Sequence, residues 1–292
     1  MPRRLASAIA LASVLLAGVV TTSGSAASGS LASGRLLPNG GGLMKKANAQ
    51  EVLPLHGGTV ESANWSGYEV TAGNVTGVST TFVVPAAGLV PPGGFAATWT
   101  GIGGFTTTDL IQAGVGEDSL PTLPLLGPQY FAWYELLPGG EIPLTNCVSS
   151  VNSAATACTV TPGDSIGVNI ALGRVTAGKW TITMVNATKH WVSTTTVSYS
   201  SSMSSAEWVL EAPSLFGVVQ SLLANVGNVT FGNSTYNIGG GAALPISNGS
   251  PTQIDMSAPL GIGLIPEATP SSLAPGGEAF RSCSYTTTCA AP

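Results

Sequence analysis

Charge is what this sequence has least of. Only 8% of its 292 residues are Asp, Glu, Lys or Arg, and histidine appears twice, at His56 and His190. With so few histidines and no His-x-x-x-His or Cys-x-x-Cys spacing, the chain offers no zinc site and no ready histidine base. A Gly-x-Ser-x-Gly elbow is also missing, which argues against a serine hydrolase. Basic residues are scarcer still. After Gly58 there are four (Arg174, Lys179, Lys189, Arg281) against thirteen acidic ones, which disfavours nucleic acid as a partner. A chain with so few ionisable groups builds up little repulsion in acid, where its carboxylates are neutralised.

Long apolar runs are confined to the N-terminus. Met1-Pro2-Arg3-Arg4 is basic, Leu5 to Val20 is apolar, and Ser25-Ala26-Ala27 offers small residues for cleavage. This pattern predicts a signal peptide over 1–27 and a secreted protein, free of the membrane once the signal is removed. The run falls short of the roughly 20 residues that span a bilayer. Residues 28–57 are Gly/Ser-rich, lack apolar periodicity and carry Lys45-Lys46, as a prosegment or linker would. The remaining 58–292 form the expected folded domain.

Four cysteines occur as two close pairs. In a secreted chain, Cys147–Cys158 and Cys283–Cys289 are the default among three possible connectivities. From Ser62 onward, short runs rich in Val, Ile, Thr, Tyr and Trp alternate with Gly, Pro, Asn and Ser clusters. Strands are predicted at Trp65–Thr71, Val78–Val84, Ala97–Ile102, Leu110–Val115, Tyr130–Leu136, Ser165–Leu172, Lys179–Val185, Trp191–Ser200, Ala206–Glu211, Asn228–Phe231 and Ala279–Tyr285. A hairpin turn is expected at Asn186–Lys189, and a short helix or packed loop at Leu215–Ala224. So many strands without αβ alternation predict an all-β, two-sheet antiparallel sandwich of lectin-like or jelly-roll type in one domain.

The chemistry lies in two apolar strands. In Ala206-Glu207-Trp208-Val209-Leu210-Glu211, alternation puts both glutamates on one face. In Leu110-Ile111-Gln112-Ala113-Gly114-Val115, one glutamine interrupts an apolar run. Carboxylates are costly to place on a sheet face unless something satisfies or uses them. A carboxylate and a primary amide facing each other can activate and orient a water.

These segments, with Asn64-Trp65-Ser66-Gly67-Tyr68, Trp99-Thr100-Gly101-Ile102-Gly103-Gly104, Ala132-Trp133-Tyr134-Glu135, Pro162-Gly163-Asp164-Ser165-Ile166 and Gly227-Asn228-Val229-Thr230-Phe231, resemble the glutamic peptidases (eqolisins) in the same order. The resemblance covers roughly Ser62 to the C-terminus. It implies a secreted, acid-active endopeptidase that is insensitive to pepstatin, made as a zymogen, acting on polypeptides as a monomer with no cofactor or metal. Its catalytic pair falls on Gln112 and Glu211. Trp99, Tyr134, Glu135 and Glu207 lie in matching segments as candidate substrate-binding residues. Gly103-Gly104 and Gly116 stand where many members of that family carry acidic residues, with Glu117 and Asp118 following. Two other readings fit a lectin-like sandwich: a glycoside hydrolase using Glu135 or Glu207 with Glu211, and a non-catalytic carbohydrate-binding module.

Overall fold

The computed structural model describes residues 53–55, 58–88, 94–119, 127–173, 178–215, 219–259 and 264–292. The proposed signal peptide and all of the prosegment up to residue 52 lie outside these residues. The thirteen described strands of five residues or more are β1 (Trp65–Thr71), β2 (Val75–Val83), β3 (Phe95–Gly103), β4 (Leu110–Asp118), β5 (Gln129–Leu136), β6 (Ser165–Leu172), β7 (Lys179–Asn186), β8 (Trp191–Ser198), β9 (Ser205–Glu211), β10 (Asn228–Ile238), β11 (Thr252–Pro259), β12 (Leu264–Pro270) and β13 (Phe280–Ser284).

Two antiparallel layers result. One runs β11–β1–β9–β3–β4–β5. The other runs β13–β10–β2–β6–β7–β8. Strand β12 pairs with both β11 and β13, so the layers are continuous along one side. The all-β sandwich read from the sequence is the fold observed.

Alternation decides where the core sits. Val78 and Phe82 of β2, Ile166, Val168 and Ile170 of β6, and Trp180, Ile182 and Met184 of β7 face Tyr68, Ile102, Ile111, Val115, Trp208 and Leu210 of the other layer. Burying a side chain of this size contributes roughly 1.5–3 kcal/mol. A second, smaller cluster lies on the opposite face of the first layer: Trp65, Ala97, Trp99, Leu110, Phe131, Trp133, Leu137, Val209 and Ile254. A sheet that buries apolar residues on both faces needs a reason for its second face, and this is the face that carries Gln112 and Glu211.

Most expected strands are found within a few residues of their predicted limits, and the Asn186–Lys189 turn joins β7 to β8. Both disulfides are as expected, Cys147–Cys158 and Cys283–Cys289. Of the two readings offered for Leu215–Ala224, the helix is corrected, while Ser221–Ala224 is a loop with Leu223 and Ala224 packed inside. Ser214–Leu215 and Val219–Gln220 pair as a small antiparallel ladder, not a helix. Strands β11 and β12 had no counterpart in the sequence reading; Pro259, Pro266 and Pro270 interrupt the pattern that would have marked them. The expected domain boundary at 57/58 falls between two paired strands, Leu53–Leu55 and Thr59–Ser62.

Candidate active site

Cross-strand register lays the second face out in rows. Trp65, Glu211, Ala97, Gly116 and Phe131 form one row across β1, β9, β3, β4 and β5. Gly67, Val209, Trp99, Gly114 and Trp133 form the next, and Glu69, Glu207, Gly101, Gln112 and Glu135 the third. Gln112 and Glu211 therefore share a face but lie two strands and two rows apart, with Trp99 at the midpoint of the diagonal between them. Gln112 is level with Glu207, across Gly101.

Glu211 is fully buried, yet its carboxylate is well supplied with donors. Trp99 Nε1 donates to Oε2 at 2.8 Å, and Asn64 Nδ2 donates to Oε1 at 3.3 Å. Asn64 is itself fixed: the Ser62 hydroxyl donates to its Oδ1 at 3.2 Å, and its carbonyl accepts the Ala212 N–H at 2.9 Å. The indoles of Trp65 and Trp99 meet edge to face, with centroids 5.1 Å apart. Burial pushes the Glu211 pKa well above the ordinary value. The hydrogen bond from Trp99 opposes this most strongly, the Glu135 charge adds to it, and the Asn64 bond lowers it again.

Gln112 is equally buried. Its Nε2 donates to Oε2 of Glu135, directly opposite on β5, at 2.6 Å. Burial raises Glu135 to about 8 against the pull of this hydrogen bond. Glu135 thus links the two predicted catalytic residues, touching one and acting electrostatically on the other.

Glu207 has a different environment. Neither of its oxygens accepts a normal hydrogen bond from the described residues. Burial raises its pKa well above the ordinary value, the Ser205 hydroxyl lowers it somewhat, and the charges of Glu69 and Asp109 raise it further. Glu69, its partner across the β1–β9 ladder, accepts a hydrogen bond from the Thr71 hydroxyl at 2.9 Å.

Other expected site residues divide. Trp99 lies on this face and spends its indole N–H on Glu211. Tyr134 does not line the site: alternation turns it to the other face of β5, where it packs against the main core. Glu117 likewise points into the sandwich, in line with Val115, so it does not replace the carboxylate absent at Gly116; Asp118 shares the Gln112 face six residues away. Gly103 has φ +86°, and a Cβ there would lie 2.7 Å from the Asp109 carbonyl oxygen. A side chain at this position would strain the backbone and force the Asp109 carbonyl to shift. Asn64 was missed as a site residue, although it opens the first of the matching segments.

One face of the sandwich thus carries a buried, donor-held carboxylate at Glu211 and a buried amide held by Glu135. The peptidase A4 family profile matches residues 63–261. This chain belongs to that family and is a glutamic-type peptidase. Among solved structures it is similar to scytalido-glutamic peptidase with a transition state analog inhibitor, at 20% identity and TM-score 0.58, covering 77% of this chain and 98% of that one. A second structure of that peptidase, with a peptide-based transition state analog, gives 19% identity and TM-score 0.55 over the same shares. SCP-B, a member of the eqolisin family in complex with the tripeptide Ala-Ile-His, gives 20% and 0.52, again covering 77% and 98%. No curated protein matches.

Proposed function

We propose that this protein is a secreted acid endopeptidase in which Glu211 is the general base and Gln112 the water-positioning and oxyanion-binding group. The supporting observation is the pair of N–H donors on Glu211, from Trp99 and Asn64, which favours its ionised form inside an apolar face. Ionised Glu211 takes a proton from water as the oxygen adds to the scissile carbonyl carbon. The Gln112 amide donates to the oxygen that becomes negative, an interaction worth roughly 3–4 kcal/mol in comparable sites. Glu211 then returns its proton to the leaving nitrogen as the C–N bond breaks, releasing an acid and an amine. Burial raises Glu211 above the ordinary carboxylate range, so the acid working range implied by the resemblance requires the Trp99 and Asn64 donors to offset that burial.

Residues 1–27 are the signal peptide and 28–57 the prosegment in this reading. Gln112, Glu135 and Glu211 are each 0% exposed. The two disulfides fit export. Glu207, level with Gln112, is the rival base.

The test is digestion of a denatured protein by the acid-processed chain from about pH 2 to 7, with pepstatin present, beside Glu211→Gln and Glu207→Gln. Pepstatin-insensitive cleavage lost by about 100- to 10,000-fold in Glu211→Gln is expected. Loss in Glu207→Gln with activity kept in Glu211→Gln moves the base to Glu207. No cleavage by any folded, processed form removes the peptidase reading.

A further inference from the structure

An amide can perform the role given to Gln112 only if its two ends are distinguished. Its carbonyl accepts and its NH2 donates, and a half-turn about the last side-chain bond exchanges them at little cost. Something on the protein must choose. The residue placed to do so is Glu135, opposite Gln112 in the β4–β5 ladder, buried, and 2.6 Å from Nε2.

We propose that Glu135 is the positioning residue for Gln112: by accepting one Nε2 hydrogen it fixes the NH2 end, which directs the second hydrogen to the carbonyl under attack and the amide oxygen to the water. This rests on the assignment of Gln112 and Glu211 as the reacting pair. A carboxyl suits the task because the oxygen facing Gln112, whether in a carboxylate or as the carbonyl oxygen of a protonated acid, only accepts, so it pairs with the Nε2 end of the amide and not with a flipped Oε1.

In acid the group is neutral. Burial lifts Glu135 to about 8, so below neutrality one oxygen is a carbonyl and the other a hydroxyl. The Oε2 that meets Gln112 takes the acceptor role. Oε1 is buried and without a hydrogen-bond partner among the described residues, which leaves it as the oxygen that carries the proton. The titratable groups that respond to Glu135 are Glu211 on β9 and Tyr199 beyond β8, both of whose pKa values its charge raises. A neutral Glu135 therefore does two things at once. It holds Gln112, and it spares Glu211 a like charge while Glu211 must ionise. Once Glu135 itself ionises, the proton affinity of Glu211 rises and the two groups titrate as a coupled pair.

Glutamine has the shape and hydrogen-bonding pattern of a protonated glutamic acid, and the test uses this. Processed wild type, Glu135→Gln, Glu135→Leu, Gln112→Ala and Glu211→Gln are compared for kcat and KM on one peptide across pH, with circular dichroism as the check on folding. Glu135→Gln should keep kcat within about threefold in acid. Glu135→Leu, similar in size but unable to accept, should lose about 100-fold in kcat with KM nearly unchanged, the cost of a misplaced group. Glu135→Gln should also lose whatever part of the upper pH limb comes from Glu135. Equal kcat in Glu135→Leu and wild type, with Gln112→Ala and Glu211→Gln both inactive, overturns the positioning role and leaves the pair intact. Wild-type kcat in Gln112→Ala instead overturns the pair. If Glu135→Leu does not fold, the decision falls to Glu135→Gln, whose loss of acid activity while folded refutes the neutral-acceptor role.

Discussion

Replacing Trp99 by Phe separates two contributions that a larger change would mix. The substitution keeps an aromatic ring at the centre of the second face and removes the indole N–H that donates to Glu211 at 2.8 Å. A buried hydrogen bond to a charged group is worth about 1.5–3 kcal/mol. At 1.36 kcal/mol per pKa unit, its loss raises the Glu211 pKa by about 1–2 units. The acid limb of kcat/KM, where Glu211 must be ionised, then moves up by the same amount, and activity at a fixed pH below it falls about 10- to 100-fold. Stability carries the same signature. Glu211 already has a folded pKa above its unfolded value, so its favourable contribution is present in acid and lost as pH rises through the folded value. Losing the donor costs about 0.5–1.5 kcal/mol while Glu211 is protonated and about 1.5–3 kcal/mol once it is ionised, so the difference appears as pH rises. The smaller ring also leaves a cavity beside Trp65, at a cost that does not depend on pH. Urea unfolding of the variant and wild type at two pH values isolates the pH-dependent part. An acid limb that stays fixed or moves down would refute the donor role of Trp99.

Stability as a whole should be greatest in acid. Burial raises the carboxyls of Glu69, Glu117, Glu207 and Glu211, takes Glu135 to about 8 and takes Glu267 to about 7. Each native carboxyl holds its proton more tightly than the unfolded one does, so stability is full below the unfolded value of about 4.3 and declines as pH rises through the folded values. The melting temperature should therefore fall between pH 4 and 8, and a rise over that range contradicts the burial of these groups. At Asn64, the Asn-Trp-Ser triplet is buried and holds Glu211, so mass spectrometry of protein from a glycosylating host should find it unmodified. A glycan there in active enzyme excludes the contact. Gly103→Asp, which restores an acidic residue common in the family, should lower stability by about 1–3 kcal/mol in denaturant titration because φ is +86°. An unchanged midpoint would show that the backbone yields at that position.

Fold class and both disulfides were legible because period-two alternation and close cysteine pairs are local signals. Strands such as β1 and β6 agree residue for residue with their sequence reading. Strands β11 and β12 were not legible, since their prolines sit where pairing can spare an N–H. That Glu207 and Glu211 share a face also followed from alternation. What alternation cannot give is register between strands far apart in the chain, and register is what sets Glu135 against Gln112 and Glu207 against Glu69. Tyr134 was misplaced by ignoring parity: its neighbours Trp133 and Glu135 face the site, so it cannot.

The choice between Glu207 and Glu211 shows how strongly environment outweighs identity. Both lie on β9, on the same face, both fully buried, and only Val209 separates them on that face. Position alone favours Glu207, which is level with Gln112. Electrostatics favours Glu211. Glu207 is opposed by a second carboxyl directly across the ladder, Glu69, and by Asp109, so ionising it places like charges together in an apolar layer. Glu211 is opposed by Glu135, which burial keeps protonated through the acid range, and it receives N–H donors from Trp99 and Asn64. If the first proton to leave this face is taken from the carboxyl with the most donors and the fewest charged neighbours, it leaves Glu211. Glu207 lacks such donors and faces Glu69 and Asp109, so its ionised form is the less supported of the two even though its register position allows the role.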